Sequence, residues 1–151
     1  FVGDQSGTFH GINEFGPVAT AMTALPGWPV SPGNTSQSEV WVEGFNSRIY
    51  WGDSQGQLYS YELDGSPTPG WSAPTPFGTQ SVRGGYTLYD QVWWSGNEGG
   101  LAALNADTAA VISDDYDFGS TSLVSRPSAN LNDRVQISTA TGLVVFVQPD
   151  W

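Results

Sequence analysis

Strand-sized apolar runs alternate along this chain with short polar turns that end in glycine. Ile49-Tyr50-Trp51-Gly52-Asp53-Ser54-Gln55-Gly56 is echoed by Val92-Trp93-Trp94-Ser95-Gly96-Asn97-Glu98-Gly99 and again by Val135-Gln136-Ile137-Ser138-Thr139-Ala140-Thr141-Gly142, each copy 43 residues after the last. Pro26-Gly27-Trp28 recurs as Pro69-Gly70-Trp71 at the same spacing. The first copy, Phe1-Val2-Gly3-Asp4-Gln5-Ser6-Gly7, precedes the second by 49 residues, which places about six extra residues in the loop 13–22. A fixed period of this length decides the fold before any single element does.

Each unit has one grammar: an aromatic or β-branched triplet, a four-residue polar turn closed by Gly, and a second apolar run. That is a β-hairpin, because Gly takes positive φ without steric cost and Asp or Asn at the start of the turn can bond the turn's own backbone. The second strands are Phe9-His10-Gly11-Ile12, Leu58-Tyr59-Ser60-Tyr61, Leu101-Ala102-Ala103-Leu104 and Val144-Val145-Phe146-Val147. In the first three the third position is small, which predicts close approach by a neighbouring sheet or by the wall of a central channel. Segments 38–44, 81–89 and 124–129 are patterned as further strands, joined to the hairpins by Asn-Ser, Asp-Gln and Asn-Asp turns. No stretch sustains a 3.6-residue apolar period; within 102–110, Asn105-Ala106-Asp107-Thr108 predicts a turn.

Small antiparallel sheets that cannot bury both faces alone predict a radial stack: an all-β, propeller-like domain of about four blades, with units near 1–28, 29–71, 72–114 and 115–151. Adjacent aromatics such as Tyr50-Trp51 and Trp93-Trp94 point to opposite faces of a strand. A blade held between two others buries both.

Composition narrows the chemistry. Fifteen acidic residues face four arginines and no lysine, a formal net charge of -11, so nucleic acid and anionic lipid are poor partners and a cationic one is attracted. The longest apolar run, 143–147, is strand-sized, and no transmembrane span is expected. Phe1-Val2-Gly3-Asp4 does not begin a signal peptide and reads as the middle of something. Zero cysteines exclude thiolate catalysis and cysteine-type zinc sites. The one histidine, His10, lies mid-strand at a position filled elsewhere by Tyr59, Ala102 and Val145, which fits a tolerant strand site rather than a general base. Glu39, Glu43, Glu62 and Glu98 are available as carboxylate pairs, but nothing in their spacing favours glycoside hydrolysis. The turn beginning at Asp4 has an aspartate-box flavour one residue too long, without an arginine triad among Arg48, Arg83, Arg126 and Arg134. Arg48 and Arg134 hold equivalent places just before a strand, where a nearby carboxylate is the expected partner.

The run 49–61, followed by Asp64-Gly65 and Trp71, resembles the pyrroloquinoline-quinone-type propeller repeat, whose pattern is roughly hydrophobic-Tyr-Val-Gly, a polar turn, Gly-x-Leu-Tyr-Ala-Leu-Asp, then Gly and Trp. The resemblance covers nearly the whole chain, best at 49–71 and 92–108, and implies that Trp28 and Trp71 dock onto the next blade. The third unit departs from it, with Ser113 and Asp114 where a Trp is expected, and the fourth has Phe146 at the small position. Such repeats include quinone-dependent dehydrogenases and many cofactor-free envelope proteins, so fold alone does not settle function. The dehydrogenases it resembles hold their cofactor with calcium; Asp114-Asp115-x-Asp117 is the densest oxygen cluster here, but no loop of defined ligand spacing surrounds it and it reads as a solvated acidic turn. No cofactor is expected, with calcium held by such oxygen ligands as the weaker alternative.

The chain starts at the second residue of a hairpin strand and stops before the closing part of its fourth unit. Open sheet ends invite pairing with other polypeptide, either as a piece of a larger propeller or by strand exchange between copies. The expected function is a non-enzymatic scaffold for protein–protein interaction or assembly at or outside the bacterial cell surface, in the periplasm or extracellular. The alternative is carbohydrate recognition through exposed aromatics, with Trp41 and Trp93 as the ligand-binding candidates; a fragment of a quinone-dependent dehydrogenase comes third.

Overall fold

The computed structural model describes residues 1–13, 23–32, 34, 39–44, 46–72, 81–97, 100–117, 125–129, 134–139, 141–142 and 144–147. Every regular element among them is a strand: β1 (Val2–Gly3), β2 (Phe9–His10), β3 (Ile12–Asn13), β4 (Thr23–Ala24), β5 (Trp41–Glu43), β6 (Arg48–Gly52), β7 (Leu58–Glu62), β8 (Val82–Leu88), β9 (Gln91–Gly96), β10 (Gly100–Asn105), β11 (Val111–Asp117), β12 (Ser128–Ala129), β13 (Val135–Ser138) and β14 (Val144–Val147). No helix among the described residues is long and apolar enough to cross a membrane.

The third blade shows the plan in full: β8, β9, β10 and β11 form an antiparallel meander in chain order. The second blade has β5, β6 and β7, with Tyr61 bridging outward to Pro67. A third sheet, β12-β13-β14, follows the same order. At the start of the chain β1 pairs with β2, β3 pairs with β4, and Phe9 bridges to Val30. The inner strands β5, β8 and β12 stand beside one another, β8 touching both of the others.

The turns form as their residues dictate. Gly7, Gly56 and Gly142 all have φ between 81° and 83°. Asp4 Oδ1 accepts from the backbone N–H of Ser6 and Thr8, and Asp53 Oδ1 accepts from those of Gln55 and Gln57. The Asn105 turn is of the same kind, its Oδ1 accepting from the N–H of Asp107 and Thr108. Gly99, the Asn132-Asp133 turn and residues 14–22 of the first loop lie outside the described residues.

Packing follows the 43-residue period residue by residue. Phe9, Trp28, Ile49, Trp51 and Tyr59 fill the space between the first and second blades. Between the second and third lie Tyr50, Leu58, Val82, Val92, Trp94, Ala102 and Leu104, with Trp71 half-buried against them. Between the third and fourth lie Trp93, Leu101, Ala103, Val135, Ile137 and Val147. Each large aromatic so buried removes roughly 150–250 Å² from water, a gross gain of order 5 kcal/mol at about 25 cal/mol/Å². The predicted split of adjacent aromatics between two faces is therefore realised on β6 and β9. Gly11 is closely approached, but not by the expected neighbouring sheet: a Cβ there would lie 2.7 Å from Trp28 Cγ. The neighbour is a side chain of its own blade's outer segment, not a channel wall.

Trp28 and Trp71 take the docking positions. Trp28 Nε1 donates to Leu63 O at 2.9 Å, in the turn that follows β7, and Trp71 packs half-buried against the cluster shared with Val82, Val92 and Trp94 of the third blade, 5.4 Å from the Tyr50 ring of its own blade. The glycine before each Trp touches the next blade: a Cβ on Gly27 would lie 1.7 Å from Asp64 O, and one on Gly70 would lie 3.6 Å from Asp107 O. Asp64 and Asp107 are themselves 43 residues apart.

One reading is overturned. The acidic stretch ending at Asp117 is not a turn but runs along β11, which pairs with β10 as Leu101 with Tyr116 and Gly100 with Asp117. Position 114, given above as a unit boundary, lies within this strand, and its register against β10 shifts between Leu101 and Ala103. The third blade also packs on the fourth without a Trp at 114, because Trp93 and Leu101 meet Val135, Ile137 and Val147 directly.

Candidate functional site

The blade plan brings three turns to one end of the interface between the second and third blades. The β5–β6 turn carries Glu43 and Asn46, the β8–β9 turn carries Tyr89 and Asp90, and the β10–β11 turn carries Asp107. Together with Trp41 and Thr87 they enclose an open cleft of ≈ 580 Å³. Neither blade alone would form it.

Local chemistry fixes each wall. Glu43 pairs with Arg48 across β5 and β6, and its carboxylate Oε2 accepts from the Asn46 N–H at 2.7 Å, which closes the turn and holds the carboxylate at the buried base of the cleft. The β8–β9 turn needs Tyr89 at φ 54°, an uncommon conformation for an aromatic residue, and leaves 63% of it exposed. The turn is pinned by Ala106 N–H donating to Asp90 O at 2.7 Å. Arg48 then ties the second blade to the third: its Nη1 donates to Ala106 O at 3.0 Å and to Asp107 Oδ1 at 2.6 Å, and its Nε lies 3.6 Å from Glu62 Oε1. Burial is the largest influence and works against that guanidinium charge, but Asp107 and Tyr50 together outweigh it and the Arg48 pKa is raised. Arg48 thus has the carboxylate partners expected of it.

Of the two candidate aromatic platforms, Trp41 lines the cleft and Trp93 does not. Trp93 is 1% exposed and sealed in the third interface, so no sugar ring can stack on it. Its strand position, equivalent to Tyr50, demands burial on the next-blade side. Trp41 is half-buried; its Nε1 donates to Thr87 Oγ1 at 2.7 Å, Tyr86 lies 5.2 Å away, and the Arg126 guanidinium sits 5.3 Å over its ring. Arg126 also lies 3.4 Å from Glu39 Oε2. A cation, not an open ring face, is what Trp41 presents on that side.

The other candidates are dispersed. His10 Nε2 lies 3.2 Å from Asp4 Oδ2 on the exposed side of the first hairpin, where Tyr59 meets Asp53 in the second. Asp4 is held well below the usual carboxylate range by hydrogen bonds from Ser6, His10 and Thr8. Among the described residues no three His, Asp or Glu side chains lie close enough to share a metal ion. Glu98 lies outside the described residues. Sequence reasoning missed Tyr89, Asp90 and Asp107 as a group, since they meet Glu43 only across blades.

In overall fold the chain is similar to BamB from Moraxella catarrhalis, with a TM-score of 0.66 over 97% of this chain and 48% of that one, at 17% identity. The fold is a β-propeller. No family model matches the sequence, and no curated protein does. The chain spans about half the length of BamB, so the likeness fixes the propeller architecture and leaves function to the residues. Within that propeller the cleft is a seam between blades, with its polar groups on short hairpins whose bases are locked by packed aromatics.

Proposed function

We propose that this propeller is a non-enzymatic scaffold for protein–protein interaction or assembly, working at the cell envelope or outside the cell. The observation that carries this reading is the cleft of ≈ 580 Å³ between the second and third blades, with an exposed aromatic residue and carboxylates displayed on turns that the packed interface below holds in place. Rigid presentation lowers the ordering cost of binding, and aromatic residues at a partly exposed seam are the side chains that anchor protein contacts. Among the described candidates, Glu39, Glu43, Glu62 and His10 are engaged in a turn or in ion pairs, which supports a binding role over a catalytic one. The resemblance of the repeat to cofactor-free envelope proteins and the absence of lysine support the location.

A photo-crosslinking amino acid in place of Tyr89, introduced in cells, tests this. A defined protein cross-linked in the envelope or secreted fraction, and not captured from position 111 on the outer edge of the third blade, is the expected result. Cross-links confined to cytosolic proteins defeat the location; no defined adduct from Tyr89 defeats the scaffold reading.

Carbohydrate recognition is the second reading, favoured by Trp41 lining the same cleft. Glycan-array binding lost in Trp41→Ala, with the fold retained, would promote it.

A further inference from the structure

We propose that the cleft between the second and third blades receives an arginine side chain carried by a basic segment of a partner polypeptide. This rests on the scaffold reading and specifies its chemistry. Three carboxylates line the cleft from three separate turns, Glu43 at its buried base and Asp90 and Asp107 exposed at its edges. Tyr89 adds an aromatic ring that stands mostly in solvent.

The molecule shows what this surface attracts. Two of its four basic residues sit against the same seam: Arg48 bonds Asp107 and lies against Glu62 behind the cleft, and Arg126 lies over Trp41 and pairs with Glu39 beside it. Among the described residues Glu39, Glu43, Glu62, Asp90 and Asp107 stand around the seam with Arg48 and Arg126, so its formal charge is negative. A net charge of -11 extends that field and draws a cationic segment toward it. Carboxylates carried on separate turns beside an aromatic ring suit a planar guanidinium, which donates from several edges while its face lies on a ring. A neutral sugar would use the ring faces, and the Trp41 face is already taken by Arg126. Occupation by a guanidinium also leaves the fold unchanged, since Glu43 already satisfies the Asn46 N–H and Arg48 already holds Asp107.

Calorimetric titration of the chain with a short Gly/Ser peptide bearing an arginine pair, and with the same peptide in which citrulline replaces arginine, tests this. The arginine peptide is expected to bind, the isosteric but uncharged citrulline peptide to bind at least about tenfold more weakly, and binding to weaken as salt rises. Tyr89→Ala and Asp90→Asn, both at exposed positions and checked for unchanged circular dichroism and melting temperature, are each expected to weaken binding by roughly three- to tenfold. Asp64→Asn, outside the cleft, is the control for general charge attraction and is expected to leave binding unchanged. Equal affinity for the two peptides, or an equal loss in Asp64→Asn and Asp90→Asn, overturns the proposal, as does binding of a neutral oligosaccharide that is lost in Trp41→Ala while the arginine peptide shows none. A partner cross-linked from Tyr89 that binds wild type and the cleft variants alike overturns the arginine pocket and leaves the scaffold reading standing. Arginine-specific binding in the cleft with no cross-linked partner in cells does the reverse.

Discussion

Trp93 and Trp94 are consecutive on β9 and share no packing cluster. Trp94 is buried with Tyr50, Leu58 and Val92 between the second and third blades, and Trp93 with Val135, Ile137 and Val147 between the third and fourth. The blade is thus a partition with a large indole on each side. Truncation of either to Ala is expected to cost about 3–5 kcal/mol, a large part of the roughly 5–15 kcal/mol that holds a domain together. The milder Trp93→Phe and Trp94→Phe are expected to add within about 0.5 kcal/mol when combined, because the rings touch different neighbours. Urea denaturation of the two single variants and the double measures this. A coupling well above that would show that the interfaces respond as one unit.

Gly27 and Gly142 have nearly the same φ, 80° and 82°, and opposite surroundings. A Cβ on Gly142 meets nothing within 4 Å, whereas one on Gly27 would lie 1.7 Å from the backbone oxygen of Asp64 in the next blade. Gly142→Ala should therefore cost only the conformational penalty, about 1–2 kcal/mol. Gly27→Ala adds a clash between two backbones with no flexible side chain to yield, and should cost at least about 3 kcal/mol while loosening the first blade from the second. Denaturation midpoints of the two variants decide; equal costs would show that the contact at Gly27 relaxes freely.

The difference between these two glycines also marks where sequence reading stops. Both close with the repeat, and the repeat was legible because turn chemistry and aromatic pairs recur at one spacing. Hairpins, turn closers and the two docking tryptophans follow from local residues. Strand β11 was hidden because Ser113, Asp114 and Asp115 have no apolar alternation; its pairing comes from the exposed edge of β10. The cleft was hidden for another reason. Glu43, Tyr89 and Asp107 belong to three different turns, and only blade-on-blade stacking brings them together. Trp41 could be picked out as an aromatic on a polar strand, but that Arg126 covers it depends on a contact across blades.

Arg48 links the second blade to the third through one side chain. It satisfies the Ala106 carbonyl and pairs with Asp107 on the third blade while lying against Glu62 on its own. Arg48→Ala is expected to destabilise by about 2 kcal/mol, chiefly because the Ala106 carbonyl loses its donor. Asp107→Asn should cost under about 1 kcal/mol, since Asp107 is largely exposed and an exposed ion pair contributes little. Thermal unfolding of both variants checks the order. Equal effects would mean that the ion pair, not the carbonyl bond, makes the link.

The alkaline limit of the fold should be set by tyrosines. Burial pushes the hydroxyls of Tyr50, Tyr59 and Tyr61 above their ordinary value of 10.0, and for Tyr59 the neighbouring Asp53 carboxylate adds to the rise. Tyr59 donates its hydroxyl to Asp53 Oδ2 at 2.9 Å, and Asp53 also accepts from Asn34 Nδ2 and from the turn backbone. A group whose pKa is raised on folding contributes stability that is complete below its unfolded value and is lost as pH rises from there through the folded value. Stability should accordingly hold near neutrality and decline once pH passes about 10, where the unfolded chain ionises and the folded one resists. Tyr59→Phe separates two effects. At neutral pH it removes one donor from a buried carboxylate and should cost about 1–3 kcal/mol. Above pH 10 it removes one of the three raised groups, so its decline should be shallower than that of the parent. Denaturant unfolding at a series of pH values from 7 upward measures both, and parallel curves for the two proteins would show that Tyr59 does not contribute to the alkaline limit.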